Sequence, residues 1–233
     1  MTKYAFVTGA SRGLGDAFVK NLSNNYFVFA GVRSLDFRLQ NPPNIYYFPL
    51  DVTDDDQINE AFKMISKKTK VLDLLINNAG INKDTATNNN PDIACKLENL
   101  EREILIKMFN TNAVSPLFVL KKFLPLLNSN PSFVINISSD RASFHDEFGS
   151  ETGNYGYRAS KVALNMYTFC SIADLPNTVK TFAVHPGDMK TDMNPDGTDD
   201  PAEQAEKIIA ITKSWKEEFN GKFLRYDGNL YPL

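Results

Sequence analysis

The sequence predicts a doubly wound parallel α/β fold, a Rossmann-like arrangement of three layers, α/β/α, and three observations carry that prediction. Short apolar runs rich in Val, Ile, Phe and Tyr alternate along the chain with stretches of helical period. The runs are apolar throughout instead of every second residue, as strands covered on both faces must be. A glycine-rich segment stands between the first run and the first helical stretch.

Taken in order, residues 4–8 read as the first strand and 14–22 as the first helix. Residues 27–32 and 46–50 read as the second and third strands. A helix is expected over 56–66, with Thr53 as its hydroxyl cap and the three aspartates after it at the positive end of the dipole. Strands follow at 72–77, 132–138 and 179–184, and helices at 117–127 and 159–172. The C-terminal remainder fits a closing helix and an edge strand. At roughly 150 residues per domain, 233 residues make one large domain with a small excess, and no repeat or low-complexity linker divides the chain, so 1–233 is expected to be one domain.

Composition excludes several classes of function. Twenty-five basic against 28 acidic side chains give a net charge of −3, so no broad basic field exists for nucleic acid or anionic membrane. Cys95 and Cys170 have no Cys-x-x-Cys partner, and His145 and His185 lie outside metal spacing, so no disulfide scaffold or metal site is expected and both histidines read as structural or surface residues. The longest apolar stretch, 116–127, is interrupted by Lys121 and Lys122, and the first residues lack the pattern of a signal peptide. The expected setting is the cytoplasm.

The segment Thr8-Gly9-Ala10-Ser11-Arg12-Gly13-Leu14-Gly15 follows a strand and opens a helix. Glycines there allow a tight turn, close approach of the backbone to a pyrophosphate, and close packing of helix on strand. At the end of the second strand, Val32-Arg33 stands where an acidic residue would bind both ribose hydroxyls. Arg33, aided by Arg12, instead suits a 2′-phosphate, so NADP(H) is expected over NAD(H).

Two polar stretches, 82–92 and 192–200, read as surface loops. The second follows a strand end on the ligand side of the sheet, and two readings stand for it: a lid over a substrate, or an ordinary solvated connection. Taken singly, Tyr157 and Lys161 make an amphipathic pair four residues apart, Ser138-Ser139 closes a strand, and Asn112 suits a helix end.

Together, and in this order, the glycine loop, Asp51-Val52, Asn77-Asn78-Ala79-Gly80, Asn112, Ser139, Tyr157-Arg158-Ala159-Ser160-Lys161, and Pro186-Gly187 with Thr191 resemble the short-chain dehydrogenase/reductase family over nearly the whole chain. The compact length and the ending around Tyr226-Asp227-Gly228 resemble its C-factor and sniffer-like carbonyl reductase branch.

The resemblance implies that Asn112, Ser139, Tyr157 and Lys161 are catalytic. Tyr157 is then the acid, its phenol pKa lowered by the Lys161 ammonium, and Ser139 hydrogen-bonds the substrate oxygen. Lys161 also holds the nicotinamide ribose, and Asn112 supports a water-mediated proton relay. Gly9, Ser11, Arg12, Gly13, Leu14, Gly15 and Arg33 bind the dinucleotide, with Asp51 and Val52 at the adenine. Asn78, Ala79, Gly80, Tyr157, Lys161, Pro186, Gly187, Met189 and Thr191 complete its site.

Eighteen positions separate Ser139 from Tyr157, more than the family usually has, and residues 144–152 read as an insertion over the substrate pocket. Phe144 and Phe148 either line that pocket or anchor the loop. The expected function is NADPH-dependent reduction of a small aldehyde, ketone or quinone. The alternative is a dinucleotide-binding regulatory or signalling protein that needs no turnover. The expected partner is a small carbonyl substrate, and homodimer, homotetramer and monomer all remain open.

Overall fold

The computed structural model describes residues 2–35, 42–82, 86, 95–145 and 153–233. Most of the Asn-rich stretch 82–92, and Phe148 with most of the insertion, lie outside them. The described residues form one sheet of seven parallel strands: β1 (Lys3–Thr8), β2 (Tyr26–Val32), β3 (Ile45–Pro49), β4 (Leu74–Asn77), β5 (Ser132–Ile137), β6 (Val179–His185) and β7 (Phe223–Arg225). The order β3-β2-β1-β4-β5-β6-β7 reverses direction between β1 and β4, which opens a crevice at the carboxyl ends of those strands.

The helices are α1 (Gly13–Leu22), α2 (Asp55–Lys68), α3 (Arg102–Phe109), α4 (Ser115–Phe123), α5 (Tyr155–Ser171) and α6 (Pro201–Lys213). Alternate strand residues feed two cores. Val7, Ile76, Ile135 and Val184 pack with Phe18 of α1 and Ile208 of α6 on one face. Phe6, Leu75 and Val134 pack with Ile65 of α2 and Phe123 of α4 on the other, where the Phe6 and Phe123 ring centroids are 4.7 Å apart. Strand residues that serve both faces must be apolar throughout, which is the pattern the sequence displays.

Three local features differ from the sequence reading. Asp54, not Thr53, caps α2: its Oδ1 accepts the backbone N–H groups of Asp56 (2.9 Å) and Gln57 (3.1 Å). Thr53 instead donates its hydroxyl to Asp51 Oδ1 at 2.7 Å, because a neighbouring carboxylate is the stronger acceptor. Helix α3 had no counterpart in the sequence reading, and a turn of π-helix over Asn110–Val114 joins it to α4. Asn112 therefore lies within a helical rod instead of at a helix end. Finally, the 192–200 stretch folds onto its own stem: Lys190 N–H donates to Asp199 C=O (2.9 Å) and Asn194 Nδ2 to Asp188 Oδ1 (2.7 Å).

Candidate active site

The crevice at the strand reversal holds a cavity of about 320 Å³. All the residues expected to bind a dinucleotide line it except Gly187. Its floor is the glycine loop. Gly9 has φ +66°, and a Cβ there would stand 2.7 Å from Ala79 Cα; a Cβ on Gly15 would stand 2.2 Å from the Gly9 carbonyl oxygen. Glycine is thus required for the turn and for packing α1 against the loop. The N-terminus of α1 opens on this crevice, so free N–H groups and the positive dipole end suit a diphosphate.

Asn78 fixes the loop from the neighbouring strand. Its Nδ2 donates to the carbonyls of Thr8 and Gly9, both at 3.0 Å, while Thr8 Oγ1 accepts the N–H groups of Asn78 and Ala79, both at 3.1 Å. Asp51 Oδ1 accepts both the N–H (2.9 Å) and hydroxyl of Thr53, which holds the Asp51-Val52 turn against the cavity. Gly187 lies behind the cavity wall, where a Cβ would meet Asp199 Oδ2 at 2.5 Å.

The two arginines differ. Arg33 is exposed at the cavity edge. Arg12 forms an ion pair with Asp192 at 2.9 Å, joining the glycine loop to the segment after β6, with both side chains well exposed. Sequence reasoning missed Asp192, Lys107, Asn110, Ile81 and Ser138, which also line the cavity. Ile81, Ser138 and Asp192 directly adjoin the named residues Gly80, Ser139 and Thr191, whereas Lys107 and Asn110 come from the α3 end that the sequence reading did not identify.

Tyr157 and Lys161 lie one turn apart on α5 and line the same cavity. Lys161 is buried; its Nζ donates to the Ile137 carbonyl at 2.7 Å and stands 5.7 Å from the Tyr157 ring centroid. Burial lowers its pKa to about 8. Tyr157 moves opposite to the expectation that the lysine would lower it: its pKa is pushed up to about 12, chiefly by burial. Hydrogen bonding with Ser139 acts against that rise, Asp140 adds to it, and Arg141 opposes it. The physical reason is that removal from water penalises both charged forms, so the ammonium and the phenolate are disfavoured together. A protonated phenol is the form a general acid requires.

Ser139 and Asn112 are adjacent to the cavity rather than on its lining. Ser139 caps a short 3₁₀ turn, Asp140–Ala142, with its Oγ accepting the Arg141 N–H at 3.2 Å. The same Oγ donates to Asp140 Oδ1 at 2.8 Å. Asn112 is wholly buried and clamps the strand end: Oδ1 accepts the Ile81 N–H (2.8 Å), and Nδ2 donates to the Ile81 carbonyl (2.9 Å) and to Ser160 Oγ (3.0 Å). Its side chain thus positions Ile81 beneath the cavity and ties the π turn to α5. His185 is structural in this setting: Nδ1 accepts the Asp140 N–H at 3.0 Å, and its ring lies 5.3 Å from that of Tyr231. Phe144 is exposed.

The profile of the short chain dehydrogenase family matches residues 3–202. The chain belongs to the short-chain dehydrogenases. It is similar to an uncharacterized oxidoreductase of Schizosaccharomyces pombe, 29% identical over 99% of this chain and 98% of the relative. It also resembles the C-signal protein of Myxococcus xanthus, 30% identical over 70% of this chain and 94% of that protein. Among solved structures, the NADPH-bound carbonyl reductase from chicken fatty liver matches with TM-score 0.85 and 30% identity, covering 100% of this chain and 99% of the other. The carbonyl reductase Sniffer of Drosophila melanogaster matches with TM-score 0.86 and 29% identity over the full length of both chains. Among the described residues no helix is long and apolar enough to cross a membrane, and no group of His, Cys, Asp and Glu could hold a metal.

Proposed function

We propose that this protein is an NADPH-dependent reductase of small carbonyl compounds, built as one domain and working in the cytoplasm. The observation that carries the reading is that Tyr157 and Lys161, one helical turn apart on α5, line a cavity whose floor is a diphosphate-suited glycine loop. The NADPH bound by the similar chicken enzyme supports the choice of dinucleotide, as does Arg33 at the cavity edge, where a guanidinium makes charge-assisted bonds to a 2′-phosphate. When bound, the dinucleotide supplies a hydride to the carbonyl carbon.

The chain's own residues do the rest. The glycine loop and the α1 N-terminus hold the diphosphate, Asp51 and Val52 flank the adenine, and Thr191 and Met189 orient the nicotinamide end. Lys161 Nζ, fixed by the Ile137 carbonyl, faces the ribose side of the site. Tyr157 gives its hydroxyl proton to the carbonyl oxygen as charge grows there. Ser139 swings its hydrogen from Asp140 to that same oxygen and stabilises the charge. Asn112 holds Ile81 and the π turn so that these groups stay in register. An intact set of this kind favours turnover over a purely regulatory dinucleotide site.

The test is a panel of aldehydes, ketones and quinones monitored by NADPH oxidation, with NADH in parallel. Turnover of at least one carbonyl class with NADPH, exceeding that with NADH, is the expected result. Tight NADPH binding without turnover of any class would overturn it.

A further inference from the structure

The turn after β6 reaches back to the glycine loop. Its tip is closed by a reciprocal main-chain pair, with Thr191 N–H donating to the Asn194 carbonyl at 3.1 Å and Asn194 N–H to the Thr191 carbonyl at 3.0 Å. Two side chains brace it: Asn194 Nδ2 donates to Asp188 Oδ1 at 2.7 Å, and Asn82 Nδ2 donates to the Met193 carbonyl at 3.1 Å. Thr191 lies against the loop itself, where a Cβ on Gly13 would stand 3.3 Å from its Cγ2. Asp192 is thereby held on a braced turn, and its Oδ2 meets Arg12 Nη1 at 2.9 Å.

Both partners line the cavity. Neighbouring acids are engaged elsewhere: Asp16 in the first turn of α1 pairs with Lys20 at 2.7 Å, Asp188 takes the Asn194 side chain, and Asp199 Oδ2 accepts the Asp188 N–H at 2.8 Å. Asp192 is the carboxylate directed at the glycine loop. A carboxylate and a phosphate make the same demand on a guanidinium, N–H donors arranged in one plane, so Arg12 cannot give its full fork and charge to both. The two side chains are 62% and 70% exposed, which leaves their pair weak enough for a phosphate dianion to contest. The carboxylate nevertheless adds a negative charge beside any phosphate that does so.

We propose that Asp192 is a specificity-determining residue: it competes with the 2′-phosphate of NADPH for Arg12, and so holds the preference for NADPH over NADH below what Arg12 and Arg33 together would give. This rests on the reading of the crevice as a dinucleotide site with its 2′-phosphate near those arginines. NADH lacks that phosphate, so its binding does not enter the contest. Arg12 then contributes to NADPH only the surplus over its pair with Asp192, and Arg33 at the cavity edge carries the larger share of recognition. Because Asp192 adjoins Thr191, the contest at the phosphate also acts on the segment expected to orient the nicotinamide end.

The test is calorimetric titration of wild type, Asp192→Asn, Arg12→Gln and the double variant with NADPH, NADH and adenosine 2′,5′-bisphosphate. Asp192→Asn keeps the shape of the side chain and removes its charge. It is expected to bind NADPH and the bisphosphate about three to ten times more tightly, with NADH within about twofold of wild type. In the Arg12→Gln background the same substitution is expected to change nothing, since the contested guanidinium is gone. Unchanged or weaker NADPH binding by Asp192→Asn overturns the proposal. So does an equal gain for NADH, or a gain that persists without Arg12, because either would be a general effect of removing negative charge. The underlying reading is judged separately, on wild type alone. If wild type binds NADH as tightly as NADPH while Asp192→Asn acquires the preference, the native preference fails and the role of Asp192 stands; if neither protein prefers NADPH, both fall.

Discussion

The two halves of the crevice are built by different means. On the β1–β4 side the floor is made almost wholly of backbone: glycines that admit close approach, main-chain carbonyls of Thr8 and Gly9 held by Asn78, and the Ala79 N–H held by the Thr8 hydroxyl. On the β5–β6 side the corner of the crevice is made of side chains, Ser139 with Asp140 and Tyr157 with Lys161. The first half tolerates no added volume. The second tolerates volume better, but its function depends on where each proton sits.

That contrast can be broken or sharpened by mutation. Tyr157→Phe keeps the ring and removes only the hydroxyl, so carbonyl reduction is expected to fall on the order of a thousandfold while NADPH affinity, measured by calorimetry, stays within a few-fold. Retained turnover would erase the proton-centred account of the β5–β6 side. Gly15→Ala is the counterpart on the β1–β4 side. Its Cβ would meet backbone at 2.2 Å, so dinucleotide binding should be lost, and chemical denaturation should show a loss of at least about 1–3 kcal/mol of stability. Near-normal binding in that variant would show that the floor is softer than its geometry implies.

Lys161 offers a third comparison, through pH. Its folded pKa of about 8 lies below the ordinary 10.5, so between those values the unfolded chain binds more protons, and stability rises with pH through that window. Lys161→Met should remove this contribution. In urea denaturation at several pH values the variant is expected to gain on wild type at pH 7, with the difference shrinking toward pH 10.5. A difference independent of pH would mean that the ammonium is not penalised by burial. The smallest expected effect concerns the arginines. Arg33→Ser should weaken NADPH binding about tenfold and leave NADH unaffected, consistent with the loss of one charge-assisted bond of about 1.5–3 kcal/mol shared with solvent. Arg12→Gln should cost less, because that guanidinium is already paired with Asp192. Equal losses would place both arginines on the phosphate.

Much of the β1–β4 side was legible in the sequence. The order of strands and helices, the glycine loop, Asn78 and the Asp51-Val52 turn all follow from periodicity and from residues adjacent along the chain. The shared face of Tyr157 and Lys161 was legible for the same reason, four residues on one helix. What was not legible came from distance or competition. The π turn around Asn112 was hidden because its reason, a clamp on Ile81, lies across the fold. The Thr53 cap was misread because Asp51 engages the Thr53 hydroxyl and leaves the first N–H groups of α2 to Asp54.

By itself, then, the sequence determined the doubly wound sheet, the glycine loop at its first strand end and the shared helix face of Tyr157 and Lys161. Chain stereochemistry and apolar period act over a few residues and leave little choice there. Only the tertiary structure decided that Arg12 is engaged by Asp192, that Tyr157 is raised in pKa and not lowered, and that the hydrogen of Ser139 belongs to Asp140. Each of these is the outcome of a contest for one charge or one proton among groups that burial brings together, and such a contest has no local signature.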